Sequence, residues 1–191
     1  MDNPIALREW AVAVKALEAG KQIIVLRKGG IAEETKEFRL ESPKFFLFPS
    51  YEHQREHLVK PGASPSVAET VAAYEKAPNT VVVSSYAEVV EDIEVTDSET
   101  LRKLDPFHLW TENYAEERLK WKKTKPLHVL LLRVFVLDQP VAIPNDERYG
   151  GCKSWIDLGE PLSALKARPA LEDEAFDNRV QSVRQAISGG L

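Results

Sequence analysis

The run LHVLLLRVFVL at residues 127–137 constrains this chain more than any other stretch. It is rich in Val and Leu and apolar at both odd and even positions. A strand of this kind has no wet face and belongs in the middle of a sheet, covered on both sides. It is also too short to cross a bilayer, which takes about 18 apolar residues or more, and no longer uncharged apolar run occurs elsewhere. Its one charge, Arg133, needs an explanation, because an unpaired buried charge costs several kcal/mol. Either one of the many carboxylates pairs with it inside the fold, or its planar fork points into a pocket and holds an anionic ligand. His128 lies five positions away and so on the opposite face, where it reads as a core histidine with a partner.

The remaining pattern mixes helices and strands without regular alternation. Asn3-Pro4 reads as a cap with proline at the first helical position, opening a helix that carries Leu7, Trp10, Val14 and Leu17 and closes at Gly20. Residues 22–27 form a short β-rich run ended by Gly29-Gly30, and 31–44 a polar loop with a weak strand at 38–40. A second strand covers 44–48, and 50–59 looks like a short helix. Ser66 and Glu69 have the spacing of a capping box, and Thr96 with Glu99 repeats it. Strands are expected at 80–83 and 89–95. A helix from Asp105-Pro106 would place Phe107, Trp110, Tyr114 and Trp121 on about one face. Residues 141–143 suggest an edge strand, 154–158 a last strand, and 172–187 a helix with Phe176, Val180, Val183 and Ile187 inward. This is an α+β arrangement: a curved, mostly antiparallel or mixed sheet packed by several helices. At 191 residues the expectation is a single domain over 1–160, with a C-terminal helical extension, 161–191, packed on it.

Composition narrows the function classes. One cysteine excludes an internal disulfide or a multi-cysteine zinc site, and it fits a reducing, cytoplasmic setting. The N-terminus lacks a basic start and an apolar signal core. A net charge of −5 excludes a broadly basic coat. The charge is uneven, however. Residues 61–115 hold 3 basic and 10 acidic side chains, whereas 116–155 hold 8 basic and 5 acidic. The acidic stretch reads as a solvated surface or as a face for a basic partner. A local anion-binding cleft remains compatible with the total.

The most specific-looking string is His53-Gln-Arg-Glu56-His57, which matches H-x-x-E-H. On a helix, His53 and His57 would share a face and Glu56 would be a base. A polar surface helix gives the same string by chance, and no third ligand stands out, so neither a metal nor a cofactor is called for. Cys152, in Gly150-Gly-Cys-Lys153, has no evident base and reads as a packing residue. Arg27 and Lys28 close the first strand. Aromatics and bases interleave from Trp110 through Tyr114, Arg118, Lys120, Trp121 and Lys122 to Lys125. That pattern fits either a stacking and phosphate-contact surface or an amphipathic helix with a lysine-rich exit.

Four stretches together resemble a bacterial family, domain of unknown function 1802. They are Leu7-Arg-Glu-Trp-Ala-Val-Ala-Val-Lys-Ala-Leu with Gly20; Leu26-Arg-Lys-Gly-Gly-Ile31; Phe46-Leu-Phe-Pro-Ser-Tyr-Glu-His-Gln54; and the pair 127–136 with Gly150-Gly-Cys-Lys-Ser-Trp-Ile156. The resemblance spans most of 5–160, with Ser50 where the family has threonine. It implies a setting near restriction–modification or DNA defence, since some members accompany endonuclease-like domains. The helix, Gly20-Lys21 and strand ending in Leu26-Arg27 are also similar to the opening of PUA-like and ASCH domains, which are compact barrels that bind RNA or modified bases.

Three functions follow as expectations. The first is a nucleic-acid or nucleotide-binding module. Arg27 and Lys28 would contact phosphate, and Tyr51, His53 and Trp155 would stack on or bond to a base. Gln54 would read its edge, and Arg133 and Lys153 would add charge. The second is a hydrolytic or metal-assisted enzyme using His53 with Glu52 or Glu56. The third is an interaction module, docking a partner or a second copy through the acidic stretch or the C-terminal helix. None involves a membrane.

Overall fold

The structure is a computed structural model that describes residues 4–28, 38–159 and 165–189. Seven strands form one mixed, strongly curled sheet. They are β1 (Ile5–Trp10), β2 (Ile24–Arg27), β3 (Lys44–Ser50), β4 (Thr80–Val95), β5 (Leu127–Pro144), β6 (Trp155–Asp157) and β7 (Ala167–Pro169). The helices are α1 (Ala11–Glu18), α2 (Val67–Glu75), α3 (Ser98–Lys103), α4 (Glu112–Lys120) and α5 (Asp173–Ser188). The strand order is β2-β5-β4-β3-β1-β6. Among the described strands only β1 and β3 pair in parallel; the other pairs are antiparallel.

β5 is central, as its two-sided apolar pattern requires. One edge pairs along its length with β4, from Leu127 opposite Val95 to Pro144 opposite Thr80. The other edge is shared in succession by β2, opposite His128–Leu131, and β7, opposite Phe135–Leu137. Around β3 both faces of the sheet are covered. Phe45 and Leu47 of β3 enter the large core with Val14, Leu17 and Leu130, while Phe46 and Phe48 point the other way to Val81, Val83, Tyr149 and Ile156. The period-two alternation of a strand therefore buries every position from Phe45 to Phe48.

α5 lays Phe176, Val180 and Val183, all buried, onto the large core, with Ile187 partly covered. The apolar stripe that would have served a partner on this helix is thus turned inward. Arg133 closes the same seam. It pairs with Asp173 at the start of α5, and its guanidinium lies 4.5 Å from the Phe176 ring. His128 is buried on the other face and meets Asp92 at 2.9 Å.

Several elements differ from the pattern in the sequence. The first apolar stretch is not one helix. Residues Ile5–Trp10 pair with β3 and β6, and the helix begins only at Ala11. The spacing of Leu7, Trp10, Val14 and Leu17 fits a helix, but two strand partners outweigh that local pattern. Its proposed cap at Asn3, and Gly29-Gly30, lie outside the described residues. Residues 38–40 form no strand. Residues 50–59 hold the end of β3, a turn and one short 3-10 turn, Glu56–Leu58, so His53 and His57 do not share a helix face. Residues 80–95 are one strand with two irregularities, and 141–143 continue β5. Asp97, not Thr96, caps α3, and Thr111 caps α4, so Phe107 and Trp110 precede that helix. α2 does open on the Ser66–Glu69 capping box. Among the described residues no helix is long and apolar enough to cross a membrane.

Candidate functional site

The curl of the sheet brings five segments around one cleft of about 320 Å³. The end of β1 supplies Arg8, Glu9 and Trp10. β2 supplies Leu26 and Arg27, and the end of β3 with the loop after it supplies Ser50, Glu52 and His53. α4 and its exit supply Tyr114, Arg118 and Trp121, and the turn before β6 supplies Cys152, Lys153 and Ser154. Four basic side chains thus face two carboxylates, in a chain whose total charge is negative.

Arg27 is buried and held on three sides. Its Nη1 donates to Glu9 Oε2 at 3.1 Å and to the Arg8 carbonyl at 3.1 Å, and its Nη2 donates to Ser154 Oγ at 2.8 Å. Glu9 is 5% exposed and also accepts from the Trp10 backbone at 2.8 Å. This ion pair is a rigid floor, since removing either partner would strand a buried charge. Arg8 donates to the Tyr149 and Gly151 carbonyls, and burial pulls its pKa below the usual arginine value.

Arg118 is different. Its guanidinium lies 5.9 Å from the Tyr114 ring and 5.8 Å from the Trp121 ring, and its buried Nε has no partner. No carboxylate among the described residues pairs with it. Tyr114 in turn packs against Trp10 at 5.0 Å, and burial raises its hydroxyl pKa. The side wall is therefore an aromatic surface carrying an uncompensated cation. Lys28 fixes this wall from behind. It is 1% exposed and donates to the Leu119 and Lys125 carbonyls at 2.8 and 2.5 Å, so it neutralises the C-terminal end of α4, where cations are favoured. Burial, and then the charge of Arg118, lower its pKa.

Of the residues expected from the sequence to contact the ligand, Arg27, His53 and Lys153 line this cleft together. His53 holds φ +65°, a conformation that costs a non-glycine residue about 1–3 kcal/mol. Glu52 stands beside it, whereas Glu56 accepts a hydrogen bond from the Ala68 backbone. Gln54 is buried and ties the loop to two helices, donating to Thr70 Oγ1 at 2.9 Å and accepting from Val12 N at 3.4 Å. Trp155 packs edge-on to Phe45 and donates to the Arg39 carbonyl at 2.7 Å. Tyr51 stacks on Tyr74 in a neighbouring depression. Arg133 lies at the α5 seam described above. Among the described residues no group of three or more His, Cys, Asp or Glu could hold a metal ion.

The sequence reading missed Arg8, Glu9 and Trp10, because it placed them on a helix. Arg118 and Trp121 were visible as interleaved aromatics and bases, the one signal that pointed to this wall.

Fold and cleft together define a single α+β domain with a cationic, aromatic-walled pocket at the rim of a curled sheet. The chain belongs to the family described as domain of unknown function (DUF1802), whose model matches residues 6–182. The match takes in most of α5, beyond the residue-160 limit expected from the sequence motifs. Among solved structures the chain is similar to ASCH from Zymomonas mobilis, at 15% identity over 93% of each chain and a TM-score of 0.44. It is likewise similar to a serine-to-alanine mutant of the same Zymomonas mobilis protein, at 14% identity over 95% of this chain and 98% of that one, also with a TM-score of 0.44. No curated protein matches the chain.

Proposed function

We propose that the cleft binds one nucleotide unit of a nucleic acid. The observation that carries this reading is Arg118, a guanidinium between Tyr114 and Trp121 with no carboxylate among the described residues to neutralise it. A phosphate supplies the missing charge, and Lys153 and Arg27 line the same cleft. The rings of Trp121 and Trp10 offer a surface on which a base stacks, an interaction worth about 1–3 kcal/mol. Ser50, His53 and Glu52 supply donors and acceptors for its edge. The restriction–modification setting implied by the sequence motifs makes DNA the first strand to try, with RNA in parallel.

The test uses the tryptophans already in the cleft. Quenching of their fluorescence is followed while uridine or thymidine 5′-monophosphate and short oligonucleotides are added at several salt concentrations. Binding should weaken with salt, and Arg118→Gln should lower affinity about tenfold and reduce the salt slope by about one ion. Binding without salt dependence, or an Arg118→Gln variant equal to the parent, would overturn the reading.

The strained His53 beside Glu52 favours a second reading, hydrolysis of a phosphodiester in the same cleft. One side chain takes a proton from water as its oxygen attacks phosphorus, the other returns a proton to the leaving oxygen, and the P–O bond breaks. An end-labelled strand incubated with excess chelator should then be cut, and His53→Gln should bind it but not cut it. An uncut strand removes this reading and leaves the binding one in place.

A further inference from the structure

The cleft is continuous with two further depressions. Arg8, Ser50 and Glu52 line both the cleft and a second hollow of about 300 Å³, walled by Phe48, Tyr51, Tyr74 and Val81. Tyr51 and Tyr74 in turn border a third hollow of about 270 Å³, floored by Ala11, Val14 and Ala73. The two tyrosine rings stack with centroids 4.3 Å apart and planes 14° apart. Tyr74 is fixed in this pose, since its hydroxyl donates to the Pro78 carbonyl at 2.9 Å and accepts from Asn145 Nδ2 at 2.8 Å. Both tyrosines are partly open to solvent.

We infer that the Tyr51–Tyr74 pair is a second stacking site, which takes the neighbouring base of a single strand whose first nucleotide occupies the cleft. This rests on the nucleotide reading of the cleft and assigns its ligand to unpaired oligonucleotides. The second hollow suits a base and not a phosphate. Its walls are aromatic and aliphatic, and its charged members besides Arg8 are the carboxylates Glu52 and Glu75. Arg8 stands where the two hollows meet. Its guanidinium is anchored on the Tyr149 and Gly151 carbonyls, its Nε has no partner, and no carboxylate among the described residues forms an ion pair with it. It is therefore placed for the phosphate that links two bases. Tyr51 adjoins Ser50 and Glu52 in the chain, with neighbouring Cα atoms about 3.8 Å apart, which puts the two sites within reach of consecutive nucleotides. A paired strand cannot use the arrangement, because its bases are already stacked on each other. The shelf is assembled by folding, so little ordering is lost when a base settles on it.

Length dependence tests this. Affinities are measured for thymidine 5′-monophosphate, oligothymidylates of two, four and eight residues, the matching oligouridylates, and an eight-base-pair duplex. Single strands should gain about tenfold or more from one residue to four, and the duplex should not. Tyr74→Ala and Tyr51→Leu should each remove most of that gain while leaving monophosphate affinity unchanged. Tyr74→Phe, which keeps the ring, should retain it. Arg118→Gln should weaken every ligand alike. If one of the two loss variants does not fold, as judged by its melting curve, the other carries the comparison. A length gain that survives Tyr74→Ala or Tyr51→Leu, or no gain at all, overturns the second site and leaves the cleft reading standing. No binding of any ligand overturns both.

Discussion

His108 is 5% exposed and lies 5.9 Å from the Trp110 ring, where a charged imidazole loses its water and finds no hydrogen-bond acceptor among the described residues. Burial, reinforced by the nearby Lys60 ammonium and opposed by Asp105, lowers its pKa from 6.5 to about 4. In the unfolded chain the ring titrates near 6.5. Between those two values the unfolded state binds a proton that the folded state refuses, so stability falls as pH falls. The group contributes nothing to pH dependence above about 7, and its cost is complete below about 4. Between pH 7.5 and 5 the loss amounts to about 2 kcal/mol. Urea denaturation at those two pH values measures it, and His108→Gln should show a pH dependence smaller by about that amount. Parallel profiles for the two proteins would assign the acid sensitivity to other groups. Arg133 makes the complementary point about single residues. The sequence left it between an ion pair and a ligand, and Asp173 with Phe176 now accounts for both its charge and its flat face.

At the level of elements, legibility followed how much of the signal was local. β5 could be read because its first eleven residues are apolar on both faces and rich in Val and Leu, the pattern of a strand covered on both sides. α5 could be read because Phe176, Val180 and Val183 keep helical spacing and are indeed buried. The α2 capping box could be read because Ser66 and Glu69 bond each other's backbone within one turn. β1 could not. Its status depends on β3 and β6, which lie about 40 and 150 positions further along the chain, and no helical propensity competes with two ladders. That single misassignment hid Arg8, Glu9 and Trp10. The rest of the cleft divides the same way. Arg27, His53 and Lys153 are polar residues at or next to strand ends, a local cue. Ser50 and Ser154 reach the cleft only through the curl of the sheet. Lys28 and Gln54 stood in equally suggestive places and turned inward to brace α4 and the loop after β3.

The whole molecule closes at one point, where the exit of α1, the middle of β5 and the entry to α5 meet. Gly20 takes φ +65° there, so that its N–H bonds the Leu17 carbonyl and Lys21 N–H reaches back to Ala16, a pairing that ends a helix on a left-handed residue. Ala170 N–H bonds the Val134 carbonyl on one side, and Arg179 donates to the Lys21 carbonyl on the other. The space is filled. A Cβ on Gly20 would lie 2.6 Å from Leu171 Cδ2, 2.8 Å from its Cγ and 3.1 Å from the Ala170 carbonyl. Gly20→Ala therefore meets two costs, about 1 kcal/mol for the left-handed backbone and about 1–3 kcal/mol for overpacking. Together they should lower the melting temperature by roughly 5–10 °C in a chain of this size. The two costs can be separated. Leu171→Ala removes the side chain in the way but not the backbone strain or the carbonyl contact. In a double-mutant cycle the two substitutions should couple favourably by about 1 kcal/mol or more. Additive losses would mean that the segment leading into α5 does not press on the end of α1. A Gly20→Ala variant within about 0.5 kcal/mol of the parent would mean that this junction gives way without loss to the fold.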